Sequence, residues 1–214
     1  MPTATWERLP EGRRRAVLSA AESEFAARGF SGGSLNTIVR EAGISKGSLF
    51  QYFEDKADLY AYLAELASVR IRARMEEYIA TLDWDEDFFA ALGKLMRFWT
   101  DYFADNPGDR AMTAAVNLEP EPATRTAVRV AVNRHYVGAL TPLLDGARES
   151  GALRPDADAD AFLALLMLVL PHLAIAPQHP ELDPVLGLDD RSPRKRRAAA
   201  DRFNDVFRTA FGAD

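Results

Sequence analysis

The sequence predicts an all-α protein: a small front module of three helices followed by a larger helical body. Three observations carry this reading. Apolar residues recur at helical spacing in every long segment. Clusters of Gly and Pro cut the chain into pieces of helix length, and no convincing strand alternation or internal repeat occurs.

Residues 11 to 28, EGRRRAVLSAAESEFAAR, place Val17, Ala21 and Phe25 four residues apart with charges elsewhere, an amphipathic helix. Pro10 suits its first turn and Gly29 its end, with Phe30 folding back and Ser31, Gly32 and Gly33 forming a short loop. The next stretch, SLNTIVREAGISKGSLFQYFEDK, shows no single period. Ser34 can cap a helix that aligns Leu35, Ile38, Val39 and Ala42, and Gly43 stops it. Ile44 turns inward, and Ser45 can cap a second helix holding Leu49, Phe50 and Phe53. The stretch is therefore helix, tight turn and helix. A helix of about 25 residues follows over 56 to 82, then helical patterns over 85 to 104, 110 to 117, 122 to 150, 157 to 176 and 194 to 211.

With 214 residues and 48% hydrophobic content, the chain can bury one or two cores. The absence of cysteine excludes disulfides, thiolate nucleophiles and cysteine-based metal sites, and is compatible with a reducing cytoplasm. No secretory signal is read in MPTATWERLPEGRRRAVL. The apolar run AFLALLMLVLPHLAIA is 16 residues long and contains Pro171 and His172. A span needs roughly 20 apolar residues, so the run reads as a buried helix and no membrane partner is expected.

A net charge of -6 argues against indiscriminate nucleic-acid binding by the whole surface. Its distribution differs along the chain: residues 1 to 56 hold eight Lys/Arg against seven Asp/Glu, and the rest 18 against 25.

The cap at Ser45 leaves Lys46, Gly47 and Ser48 as an outward-facing first turn, where helix-turn-helix proteins meet the major groove. Lys46 can donate to guanine O6 or N7, Ser48 can bond a base or phosphate, and Gly47 permits close approach or contact with a thymine methyl. Thr37, Tyr52 and Lys56 lie where hydroxyls and an ammonium can hold phosphates on either side. Arg13, Arg14 and Arg15 are further phosphate candidates, although a charge run is usually a solvated face.

The run from Arg13 to Tyr60, with FAARGF, SLNTIVREAGISKGSLFQYF and EDKADLY, resembles the amino-terminal DNA-binding domain of the TetR family of transcriptional regulators. The resemblance implies groove-facing roles for Lys46, Gly47 and Ser48 and phosphate contacts from Ser34, Thr37, Tyr52 and Lys56. Phe50 stands where the family more usually has Tyr, so one phenolic contact is missing, and Val39 replaces the common Ala. It further implies two domains, a helix-turn-helix DNA-binding domain over 1 to 56 and a helical ligand-binding and dimerisation domain over 57 to 214.

The remaining motifs weigh less. RSPRKRR, 191 to 197, reads as the basic, solvated beginning of the final helix, and EPEP, 119 to 122, as a surface turn. His172 and His179 sit seven residues apart across Pro177, with His135 distant, so no metal site is expected. No G-x-S-x-G, phosphate loop or partnered pair of carboxylates appears, so neither an enzyme nor a cofactor is expected. Phe88, Leu92, Met96, Trp99 and Phe103 can line one side of an apolar cavity, joined by Met112, His135, Tyr136, Met167 and His172, whose polar ends would orient a largely apolar ligand. FLALLMLVL and the stripe Phe203, Val206, Phe207, Phe211 present more apolar surface than one body needs, which fits a homodimer.

The expected protein is a cytoplasmic repressor that binds a palindromic operator as a dimer and is released by a small ligand. An activator or a ligand-independent regulator of the same type is the alternative. A helical adaptor or an enzyme without DNA binding are the rival classes.

Overall fold

A computed structural model describes residues 2–188 and 192–213. Among these residues the secondary structure is helical, apart from an antiparallel bridge between Leu153 and Gly212. The α-helices are α1 (Ala4–Glu7), α2 (Glu11–Gly32), α3 (Leu35–Glu41), α4 (Lys46–Tyr52), α5 (Lys56–Ile79), α6 (Phe88–Asp105), α7 (Pro107–Asn117), α8 (Pro122–Glu149), α9 (Ala159–Ile175) and α10 (Pro193–Phe211). Two short 3-10 turns, Ala176–Gln178 and Pro180–Leu182, follow α9.

The chain divides into two compact units, one of residues 1–69 with 111–132, the other of 70–110 with 133–214. The front unit thus draws in a stretch from the middle of the sequence. Its core joins Val17, Ala21 and Phe25 of α2 to Ile38, Leu49, Phe53, Leu59, Tyr60 and Leu63, and to Met112, Val116 and Val128.

Two details differ from the expectation at the end of α2. Gly29 has φ 64 and ψ -176, as its role as a breaker requires, yet Ser31 and Gly32 form one more helical turn rather than a loop. Glycine is the residue that enters this positive-φ region without a Cβ penalty. The four-residue α1 was not anticipated, because an element that short has no period to read.

In the second unit α6 lies at the centre, packed against α9 and α10. Asp87 caps α6 by accepting from the Ala90 N–H at 2.9 Å, and Asp158 caps α9 by accepting from the Ala161 N–H at 2.9 Å. The Phe162 ring stacks on Phe211 with centroids 4.5 Å apart, and also packs on Phe207. Phe207 and Phe211 are therefore core residues, not an outward stripe; Val206 is the member of that set left 60% exposed. The Trp99 indole N–H donates to the Leu170 carbonyl at 2.7 Å. Residues Ala159–Gln178 are long and apolar enough to cross a membrane by length and composition, but Phe162, Leu166, Leu170, Leu173 and Ile175 are buried within this unit.

Arg191, the first residue of RSPRKRR, lies outside the described residues. Of the rest, Arg194, Lys195 and Arg197 are exposed, whereas Arg196 is buried and faces the Asp101 carboxylate at 3.9 Å. The basic run is thus solvated in part only.

Candidate nucleic-acid interface

The geometry begins with the caps. The Ser34 hydroxyl accepts from the Thr37 N–H at 3.4 Å, while the Ser34 N–H donates to the buried Glu24 carboxylate at 2.9 Å, fixing the start of α3 to α2. Gly43, with φ 65, lets the chain turn sharply after α3. The Ser45 hydroxyl accepts from the Ser48 N–H at 3.0 Å and lies 2.9 Å from the Ser48 hydroxyl, so α4 starts with its capping oxygen already engaged.

Burial then orients α4. Leu49, Tyr52 and the following Phe53 point into the core, which turns Ser45, Lys46 and Gly47 to solvent and leaves Ser48 half-buried. Phe50 is 45% exposed. Ser34 and Thr37 are half-buried at the start of α3.

The two outer phosphate candidates are placed differently from Lys46. Tyr52 is 6% exposed, with its ring 5.8 Å from Trp6. Lys56 is half-buried, its ammonium 4.6 Å from the centre of the Phe30 ring, a cation–π contact. Arg14 donates to the Glu7 carbonyl at 3.3 Å and Arg15 pairs with Glu11, while Arg13 is exposed.

In the second unit Phe88, Leu92, Met96, Trp99 and Phe103 are all buried on α6, with Tyr136 5.7 Å from Trp99 and His135, Met167 and His172 half-buried. Met112 packs in the core of the front unit with Val116 and Val128. An open cleft of about 800 Å³ in the second unit has a different, polar lining that includes Arg70, Arg74, Asp101, Tyr102, Asp109 and Arg197. Asp109, 5% exposed, accepts from Arg70 Nε at 3.0 Å and from the Tyr102 hydroxyl. Burial and then the Asp109 carboxylate push the Tyr102 phenol well above its ordinary value. These residues were not singled out from sequence. The four-residue spacing of Arg70 with Arg74, and of Asp101 with Asp105, is the signal that could have found them.

A capped helix-turn-helix with a basic, exposed first turn on its second helix, carried by an all-helical chain, defines a class of DNA-binding regulators. Residues 17–63 match the sequence model of "Bacterial regulatory proteins, tetR family". The transcriptional repressor NicS of Pseudomonas putida is 28% identical over 142 residues, a match covering 65% of this chain and 65% of NicS, slightly less than two thirds of its length. A TetR family regulator from Chloroflexus aurantiacus superposes with a TM-score of 0.67 at 24% identity, covering 100% of both chains. FadR from Bacillus subtilis, in complex with stearoyl-CoA, superposes with a TM-score of 0.69 at 16% identity, covering 90% of this chain and 96% of FadR. Residues 17–63 are thus similar to the tetR family of bacterial regulatory proteins, and the rest of the chain shares the all-helical fold of such regulators.

Proposed function

We propose that the protein is a cytoplasmic, homodimeric repressor that holds a palindromic operator through α4 and is released when a small, largely apolar ligand binds the helical body. The exposed, Ser45-capped first turn of α4 carries the reading, because it presents Lys46, Gly47 and Ser48 together from a helix whose opposite face is locked in the core. Lys46 reads a guanine edge, with Gly47 and Ser48 against the groove; Ser34, Thr37, Tyr52 and Lys56 hold backbone phosphates. Functionally the chain divides at residue 56, into a DNA-binding domain and a ligand-binding and dimerisation domain.

One α4 reads too few base pairs for useful specificity, so two copies present two recognition helices to half-sites about 34 Å apart. Leu165, Leu168 and Val206, 40%, 67% and 60% exposed on α9 and α10, supply apolar surface for that association. NicS is a repressor and the FadR structure holds stearoyl-CoA, which supports repression and a hydrophobic ligand here. The buried aromatic face of α6 with Tyr136, Met167 and His172 lines the ligand site. Ligand binding lowers DNA affinity to the extent that the ligand prefers a conformation with misplaced recognition helices.

The test is selection of duplexes from a random pool by the full-length protein, followed by salt titration of the recovered sequence. A palindromic consensus and a steep fall in affinity with salt are expected. Recovery of no consensus, or a flat salt response, overturns the reading.

A further inference from the structure

Glu119 sits in the turn between α7 and α8 and is 2% exposed. Its carboxylate reaches back 88 and 89 residues to the kinked end of α2. One oxygen accepts from the Phe30 N–H at 2.9 Å and the Ser31 N–H at 3.3 Å, and the other from the Ser31 hydroxyl and, at 3.1 Å, the Glu121 N–H. The kink at Gly29 is what makes those donors available, since it starts a new helical turn whose first N–H groups have no carbonyl to bond. A Cβ on Gly29 would stand 3.4 Å from the Glu119 carboxylate, an ordinary contact, so it is the positive φ that calls for glycine there.

The turn that carries Glu119 is itself braced. Arg125 donates to the Glu119 carbonyl at 2.6 Å, Arg129 of α8 bonds the Asn117 side chain of α7, and Glu121 accepts from the Ala123 N–H at 3.0 Å at the start of α8. Segment 111–132 joins the second unit along the chain at both of its ends. A buried carboxylate is a costly way to hold two segments together, since apolar packing of similar volume does so as well or better. What it adds is direction: the bonds to Phe30 and Ser31 are made or lost together with the placement of the turn.

We propose that Glu119 is a positioning residue that couples α8 to the DNA-reading module through the end of α2. This rests on the reading of α4 as the DNA-contacting helix. A change that moves α7 or α8 withdraws the carboxylate from Phe30 and Ser31, and by linkage DNA held on α4 stabilises the bonded arrangement and with it α8.

The experiment is amide hydrogen exchange on the full-length protein with and without a saturating duplex selected from a random pool, for wild type, Glu119→Gln and Ser31→Ala. Glu119→Gln keeps the size but sets an NH2 among donors; Ser31→Ala removes one hydroxyl and serves if the first variant does not fold. In wild type the duplex should slow exchange in residues 34–56 and also in 133–149, the latter on the order of fivefold. In the variants protection of 34–56 should persist while that of 133–149 is lost or reduced. A merely structural role would lower thermal stability without altering that spread. No protection of 133–149 in wild type, or the same spread in the variants, overturns the link alone. Failure of wild type to retain any duplex overturns the DNA-binding reading and the link with it.

Discussion

The Trp6 indole stands 5.8 Å from the Tyr52 ring and 5.0 Å from the Phe53 ring, so a residue outside the helix-turn-helix pins the end of α4. Thr3 completes the contact: its N–H donates to the Tyr52 carbonyl at 3.0 Å and its hydroxyl to the Gln51 carbonyl at 2.6 Å. These are carbonyls of the last turn, which no longer have helical partners. Trp6→Ala should cost about 3 to 5 kcal/mol of stability, as for other buried Trp truncations. Urea denaturation followed by circular dichroism measures it; a loss within experimental error would show that α1 is dispensable.

Lys46 is exposed, and its change to Ala should leave the unfolding midpoint unmoved. Affinity for the selected duplex should fall about tenfold or more, with relaxed preference at one base pair in each half-site. Fluorescence anisotropy against the consensus and its single-base variants distinguishes this from a pure phosphate contact, which would weaken all sequences equally.

Ser45→Ala removes the oxygen that accepts from the Ser48 N–H, and should cost about 1 kcal/mol. Gly43→Ala forces a side chain into positive φ and should cost about 1 to 2 kcal/mol. Both are readable as shifts in denaturation midpoint, and equal stability of either variant with wild type would contradict the turn geometry.

Burial alone would raise the Glu119 carboxyl, but hydrogen bonds from Ser31, Glu121 and Phe30 outweigh it and hold it below the ordinary glutamate value. The stability it contributes is therefore fully present above that value, about 4.3, and is lost as pH falls through the lower folded-state value. Glu119→Gln should be less stable than wild type by about 1 to 3 kcal/mol at neutral pH, and the gap should close on acidification below the ordinary glutamate value. Denaturation curves of both proteins across that range give the comparison; a gap that widens in acid would reverse the assignment.

Leu168 is 67% exposed on α9. Leu168→Glu should leave the fold intact, judged by circular dichroism, while shifting the protein from dimer to monomer in analytical ultracentrifugation. A variant that remains fully dimeric would place the interface elsewhere.

Much of the fold was legible because long helices repeat their apolar positions. The expected segment over 122 to 150 appears as Pro122–Glu149, and that over 194 to 211 as Pro193–Phe211. The caps Ser34 and Ser45 and the breaker Gly43 were readable for the same reason: each is a local device whose chemistry lies in one residue. What escaped was non-local. EPEP has the composition of a surface turn, and nothing within four residues reveals that Glu119 is buried against a segment 88 residues away. Periodicity likewise showed that Phe207 and Phe211 share a face, but not that Phe162 covers it. Tyr52 combines a hydroxyl suited to phosphate with a ring packed on Trp6, and α1, which supplies that partner, is too short to announce itself.

The front core takes Met112, Val116 and Val128 from the middle of the sequence. The reading head is consequently not a cassette that can be cut out at residue 56 or 69. A fragment ending there would take Met112, Val116 and Val128 out of that core, and a hybrid protein that borrows this head must inherit residues 111–132 along with it or tailor its own hairpin to the same surface.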